Sequence, residues 1–93
     1  MLPDNELIIE DNVTIGPNCT IHGTLIKKNS IIEVGAIICD YSEIGENCLV
    51  KAGSLVKQRD KFKENSIIQG FVAKTIGLNQ QKLKKPSWSL RNK

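Results

Sequence analysis

Of the 93 residues in this chain, one is histidine and three are cysteine. A lone imidazole does not supply the ligand set of a catalytic zinc site, which takes three protein side chains and leaves a fourth position for water. Three cysteines, an odd number with no close pair, exclude a disulfide framework and a CxxC zinc pattern, and read as reduced packing thiols. Long apolar runs are missing too. Nothing approaches the length of a membrane span or a signal-peptide core, so no membrane association and a cytoplasmic location are expected. Acids are absent from the last twenty positions: residues 74–93 hold six basic residues (Lys74, Lys82, Lys84, Lys85, Arg91 and Lys93), whereas residues 1–73 hold seven bases against ten acids. The body is mildly acidic and the tail basic. At 10.3 kDa the chain fits one small domain that buries little of its own surface, which favours an oligomer.

What the sequence does have is a repeat. Aliphatic residues recur every sixth position at Ile9, Ile15 and Ile21, then after a step of five at Ile26, Ile32, Ile38, Ile44, Val50 and Val56. No helix has that period. Four places after each aliphatic residue come Val13, Cys19, Leu25, Ser30, Ala36, Ser42, Cys48 and Ser54, mostly small. Three places after it, Asn12, Asn18, Asn29, Gly35, Asn47 and Gly53 supply the residue types that most readily accept positive φ, as a tight corner needs. The hexad reads as a short strand followed by a corner.

Three such strands make a triangular coil of about eighteen residues, the parallel β-helix that hexapeptide repeats build. Folding the hexads in threes stacks Ile9 on Ile26 on Ile44, Ile15 on Ile32 on Val50, and Ile21 on Ile38 on Val56. Each inward column is then β-branched throughout, as strands favour. Each buried side chain in it should contribute about 1.5–3 kcal/mol relative to exposure.

The stretch IGPNCTIHGTLIKKNSIIEVGAIICDYSEIGENCLVKAGSLV, followed by SIIQGFVAK, resembles the C-terminal half of γ-class carbonic anhydrase-like proteins in the bacterial transferase hexapeptide-repeat superfamily. Those proteins show IGHxxxxHG with a five-residue step, GAI(I/V)xD, IGENxxVxAGSLV and a closing SLYxGSPAK. The resemblance runs from about Leu7 to Ile76 and spans about half of a family member. It implies an all-β, single-stranded, left-handed parallel β-helix of about three coils over Leu7 to Val56. A strand at Ser66–Gly70 closes it, and a short C-terminal helical segment follows. The division expected is an N-terminal cap (1–6), the repeat domain with its closing strand (7–73) and a basic C-terminal segment (74–93).

The family holds zinc with three histidines at a subunit interface. Of the two in IGHxxxxHG, the first falls on Pro17 and the second on His22; the third, with the arginine, aspartate and glutamine lining the site, belongs upstream of the matching stretch, and the tyrosine of SLYxGSPAK falls on Ile68. The expectation is a shortened γ-carbonic anhydrase-like protein with a degenerate metal site, His22 its one remnant candidate for catalysis or metal. Cys19, Asp11 and Glu33 are the other side chains of ligand type nearby, read as an inward position, a corner and a solvated wall. Zinc is therefore not expected as a cofactor.

Hexapeptide acyltransferases bind coenzyme A along the last coils, through backbone amides at an AGS-type corner and a basic residue after the closing GxPA. Ala52, Gly53, Ser54, Ala73 and Lys74 match those features, and His22 would then be the general base. As an enzyme, the chain reads better as an acyltransferase than as a zinc hydratase. The preferred reading is a non-catalytic oligomeric scaffold or binding module. Its basic tail, LNQQKLKKPSWSLRNK, offers a helix-capable stretch stopped near Pro86, then Trp88. Nucleic-acid binding through that tail is the least favoured reading. A trimer is expected because the outward Ile8, Ile31, Ile37, Leu49 and Leu55 sit on parallel-sheet walls, which are normally covered on both faces. The rims of Ile9, Ile15 and Ile21 need a cover as well, from Met1–Glu6, from end-to-end association or from a partner at that end.

Overall fold

Positive φ angles set the shape of the molecule, whose computed structural model describes residues 6–90. Asn12, Asn29, Asn47 and Asn65 have φ of 57° to 65°, and Asn18, Gly35 and Gly53 of 61° to 73°. All six corner residues marked by the hexad spacing are therefore corners. The third corner is built from Tyr41 (φ 64°) and Arg59 (φ 67°), residue types for which this conformation is costly. The Arg59 guanidinium lies 4.7 Å from the centre of the Tyr41 ring, a cation–π contact that offsets part of that cost.

Between corners run strands of two residues: β1 (Ile8–Ile9), β2 (Thr14–Ile15), β3 (Thr20–Ile21), β4 (Leu25–Ile26), β5 (Ile31–Ile32), β6 (Ile37–Ile38), β7 (Glu43–Ile44), β8 (Leu49–Val50), β9 (Leu55–Val56) and β10 (Lys61–Phe62). Two longer strands follow, β11 (Ser66–Gly70) and β12 (Ala73–Leu78). They form three walls: A with order β1-β4-β7-β10, B with order β12-β11-β8-β5-β2, and C with order β3-β6-β9. Within the repeats all pairing is parallel, giving a left-handed β-helix of about three turns. Registers of Ile9 with Ile26 and Ile26 with Ile44, Ile15 with Ile32 and Ile32 with Val50, Ile21 with Ile38 and Ile38 with Val56 are the three expected columns. Phe62 extends the first column and Ile68 the second. Ile26, Ile32, Ile38, Ile44, Val50, Val56 and Ile68 are completely buried.

Four features depart from the sequence reading. Because the corner after Ile21 is one residue short, Thr24 rather than Leu25 takes the small inward position. Its hydroxyl donates to the Ser42 carbonyl at 2.6 Å, while Leu25 faces outward in register with Ile8 and Glu43. A tenth short strand, β10, continues the coil past Val56. The first part of the C-terminal segment is strand β12, antiparallel to β11. Finally, the stretch before Pro86 forms neither helix nor strand, and the only helical turn among the described residues is a 3-10 turn after it, Ser87–Leu90.

Residues 79–88 form a strap. Asn79 N–H donates to the Asn65 carbonyl at 2.7 Å at the corner between walls A and B. Lys82–Lys85 share a groove with Thr14 and Ile31 on wall B, and Trp88 reaches Pro17, Val34 and Ala52 at the corner between walls B and C. At the opposite end Leu7, Ile8 and Ile9 are exposed and Ile15 and Ile21 half-buried. The cap expected there lies outside the described residues except for Glu6, which is exposed.

Candidate functional site

Wall C separates the two positions where the family motif has histidine. Pro17 precedes β3, at the corner between walls B and C; His22 follows β3, at the corner between walls C and A. The two positions therefore lie on opposite edges of one wall. Pro17 has no ligand atom. It lines an open, mainly apolar cleft of about 470 Å³ with Val34, Ala52, Trp88 and the carboxylate-bearing Glu33.

His22 is exposed, its Nδ1 3.9 Å from Asp40 Oδ1. That is beyond hydrogen-bond length, and Asp40 Oδ1 instead accepts the Gly23 N–H at 3.1 Å. The pair is a loose surface contact that becomes an ion pair only when the imidazole is protonated. The sequence reading quoted Asp40 within GAIICD without giving it a role. Counting a full eighteen-residue coil from His22 would have found it.

The other ligand-type side chains are engaged elsewhere. Cys19 Sγ donates to the Glu33 carbonyl at 3.1 Å, Glu33 Oε1 accepts the Ala52 N–H at 3.0 Å, and Asp11 lies exposed at the corner between walls A and B. No three histidine, cysteine or carboxylate groups gather as a metal site among the described residues. Cys48 is buried, its thiol donating to the Lys63 carbonyl at 3.1 Å, and burial pushes its pKa up from the ordinary 9.0. This is a packing thiol and a poor nucleophile.

The coenzyme A candidates do come together. Ser54 Oγ accepts the Gly70 N–H at 3.2 Å, and Gly70 pairs with Ala73 across the β11–β12 turn, one step from the exposed Lys74. Their amides, however, are used within the chain: Ala52 N–H on Glu33 Oε1, Gly53 N–H on the Val34 carbonyl at 3.0 Å, and Ser54 N–H on the Lys51 carbonyl at 3.2 Å. Ile68, where the family pattern has tyrosine, points into the core.

Comparison with known proteins bears on this geometry directly. Residues 6–39 match the family model described as the hexapeptide repeat of succinyl-transferase. A carbonic anhydrase from Geobacillus kaustophilus is 43% identical over 74 residues, 80% of this chain and 41% of that protein. The chain belongs to the γ-carbonic anhydrase-like hexapeptide-repeat family. The mitochondrial gamma carbonic anhydrase 2 of Arabidopsis thaliana is 34% identical over 67 residues, 72% of this chain and 24% of its own length. A Bacillus cereus crystal structure with a provisional acetyltransferase description superposes with a TM-score of 0.73 at 36% identity, covering 77% of this chain and 47% of that one. The chain thus spans between a quarter and about two fifths of these curated relatives, and just under half of the solved structure. No helix among the described residues is long and apolar enough to cross a membrane.

Proposed function

We propose that this chain is a self-associating β-helical module of its family, a cytoplasmic homotrimer that carries out no zinc-dependent hydration. The observation that carries this reading is Pro17. The corner where the IGHxxxxHG motif has its first histidine holds a side chain without a lone pair, set among Val34, Ala52 and Trp88. Packing wall C around a three-fold axis brings that corner beside the His22–Asp40 corner of the next copy, so the meeting point holds one imidazole, carboxylates and an apolar cleft. That donor set does not fit catalytic zinc, which takes three strong protein ligands.

Wall C suits the interface because its outward residues, Thr20, Ile37 and Leu55, carry no charge. Wall A is laced by Lys27–Glu43 at 3.3 Å and Lys61–Glu43 at 3.6 Å, and wall B is crossed by the strap. The acyltransferase reading draws support from the solved Bacillus cereus relative, but the intrachain use of the Ala52, Gly53 and Ser54 amides counts against it.

Metal analysis of dialysed protein, carbon dioxide hydration assays and a coenzyme A thermal-shift titration separate the readings. The proposal expects substoichiometric zinc, hydration at the buffer rate and no shift with coenzyme A, with Pro17→His restoring no activity. Zinc retained one per chain with measurable hydration would overturn it, and saturable stabilisation by coenzyme A would favour the acyltransferase.

A further inference from the structure

Among the hydroxyls that the fold buries, one is left uncommitted. Thr24, Ser30, Ser42, Ser54 and Ser66 all bond through theirs within the chain. Thr14 is only 7% exposed, yet it bonds only through its backbone N–H, to the Ser30 carbonyl, and its hydroxyl has no partner among the described residues. Thr14 lies on the outward side of wall B, in register with Ile31, and lines a groove of about 220 Å³ beside the strap. A polar group that is nearly buried and unpaired costs free energy unless something in the groove bonds to it.

The strap supplies the charge of that groove. Lys82, Lys84 and Lys85 line it with Thr14, and no carboxylate does. All three lysines are exposed, and none is in an ion pair among the described residues. Their backbone is held by Asn47, whose Oδ1 accepts the Leu83 N–H at 2.7 Å and whose Nδ2 donates to the Gln81 carbonyl at 3.1 Å. The cations are thereby tethered beside wall B before any ligand arrives, which lowers the ordering cost of binding. Asn12 and Asn29, at the corner between walls A and B, line the same groove, and their carboxamides have no partner among the described residues. Asn29 and Lys82 also line an adjoining cavity of about 420 Å³, bordered by Asn65, Asn79, Gln80 and Gln81, with Glu46 its one carboxylate.

We propose that this groove binds a phosphate monoester of a small polyhydroxylated molecule, a sugar phosphate. The phosphate sits among Lys82, Lys84, Lys85 and the Thr14 hydroxyl, and the sugar extends past Asn29 into the carboxamide-lined cavity. Lysines bind phosphate as point charges through charge-assisted hydrogen bonds. Carboxamides offer a donor and an acceptor side by side to neighbouring sugar hydroxyls, and Glu46 accepts from a further one. The groove runs along the edge of the prism opposite wall C, across wall B from the Pro17 cleft and the Ala52–Ser54 corner. It stays open in a trimer built on wall C, and binding there requires neither the trimer nor a metal.

Isothermal titration of the full-length protein with glucose 6-phosphate, ribose 5-phosphate, inorganic phosphate and glucose tests the site. At least one sugar phosphate is expected to bind saturably, one per chain, with an affinity that falls as salt is added. Inorganic phosphate should bind about tenfold more weakly, and glucose not measurably. Replacing Lys82→Gln together with Lys84→Gln should weaken sugar phosphate binding about tenfold, and Thr14→Val, which keeps the branched shape, about fivefold. Absence of saturable binding, or binding that survives the lysine pair, would overturn the site. Full affinity in Thr14→Val would overturn the placing of the phosphate on wall B, and equal affinity for inorganic phosphate would overturn the assignment of the sugar. Tighter binding of single-stranded RNA or of phosphoinositide vesicles than of either sugar phosphate would overturn a small molecule as the ligand.

Discussion

At the scale of single residues, the corners divide into positions that need a conformation and positions that need space. Gly53 has φ +70° and nothing near the site of a missing Cβ, so Gly53→Ala should cost only the left-handed strain, about 1–2 kcal/mol. Gly45 is the reverse case. A Cβ there would lie 2.6 Å from the Phe62 carbonyl oxygen and 2.8 Å from the Glu64 nitrogen, backbone atoms that move only if two coils separate. Gly45→Ala should therefore lower the melting temperature more than Gly53→Ala, and the reverse order would contradict the assigned stacking. Cys48 gives a pH signature. Its folded pKa lies above 9.0, so between the unfolded and folded values the native state holds the extra proton, and stability falls as pH rises through that window. Denaturant midpoints measured upward from pH 8 should decline less in Cys48→Ala than in the unmodified chain.

At the scale of elements, stability resides in the columns. Ile32 is fully buried with a neighbour above and below in its column, and Ile32→Ala should cost about 2–5 kcal/mol. Ile8→Ala, on an exposed wall position, should stay within about 0.5 kcal/mol of the unmodified chain, as judged by denaturant titration. The columns were readable because one hexad position is aliphatic in every strand from Ile9 to Val56. Reading stopped where that identity stopped: β10 has Phe62 where the column has isoleucine or valine, and Asp60 where the other coils have small residues. The strap was read as helix-capable because Gln80, Gln81, Lys82, Leu83 and Lys84 are good helix formers. Tertiary bonds override that preference, with the Leu83 N–H and the Gln81 carbonyl both taken by Asn47. Pro86 further disfavours helix at Lys85. Similarly, a repeat pattern identifies Pro17 and His22 as motif positions, but it does not state that they lie on opposite edges of a wall; the turn at each corner decides that.

At the scale of the whole molecule, the three-sided prism has one wall laced by ion pairs, one crossed by the strap, and a third, wall C, whose outward residues are uncharged. Its N-terminal rim leaves Leu7 and Ile8 each 47% exposed and Ile9 42%, and residues 1–6 are proposed to cover it. Deleting them should raise aggregation on heating, followed by static light scattering; identical traces for the two chains would dismiss the cap. The proposed function joins a trimer to the absence of retained zinc, and native mass spectrometry of the full-length protein reads both from one spectrum. Three chains with no retained zinc are predicted. A monomer, or a trimer that keeps one zinc ion per subunit, would contradict the account.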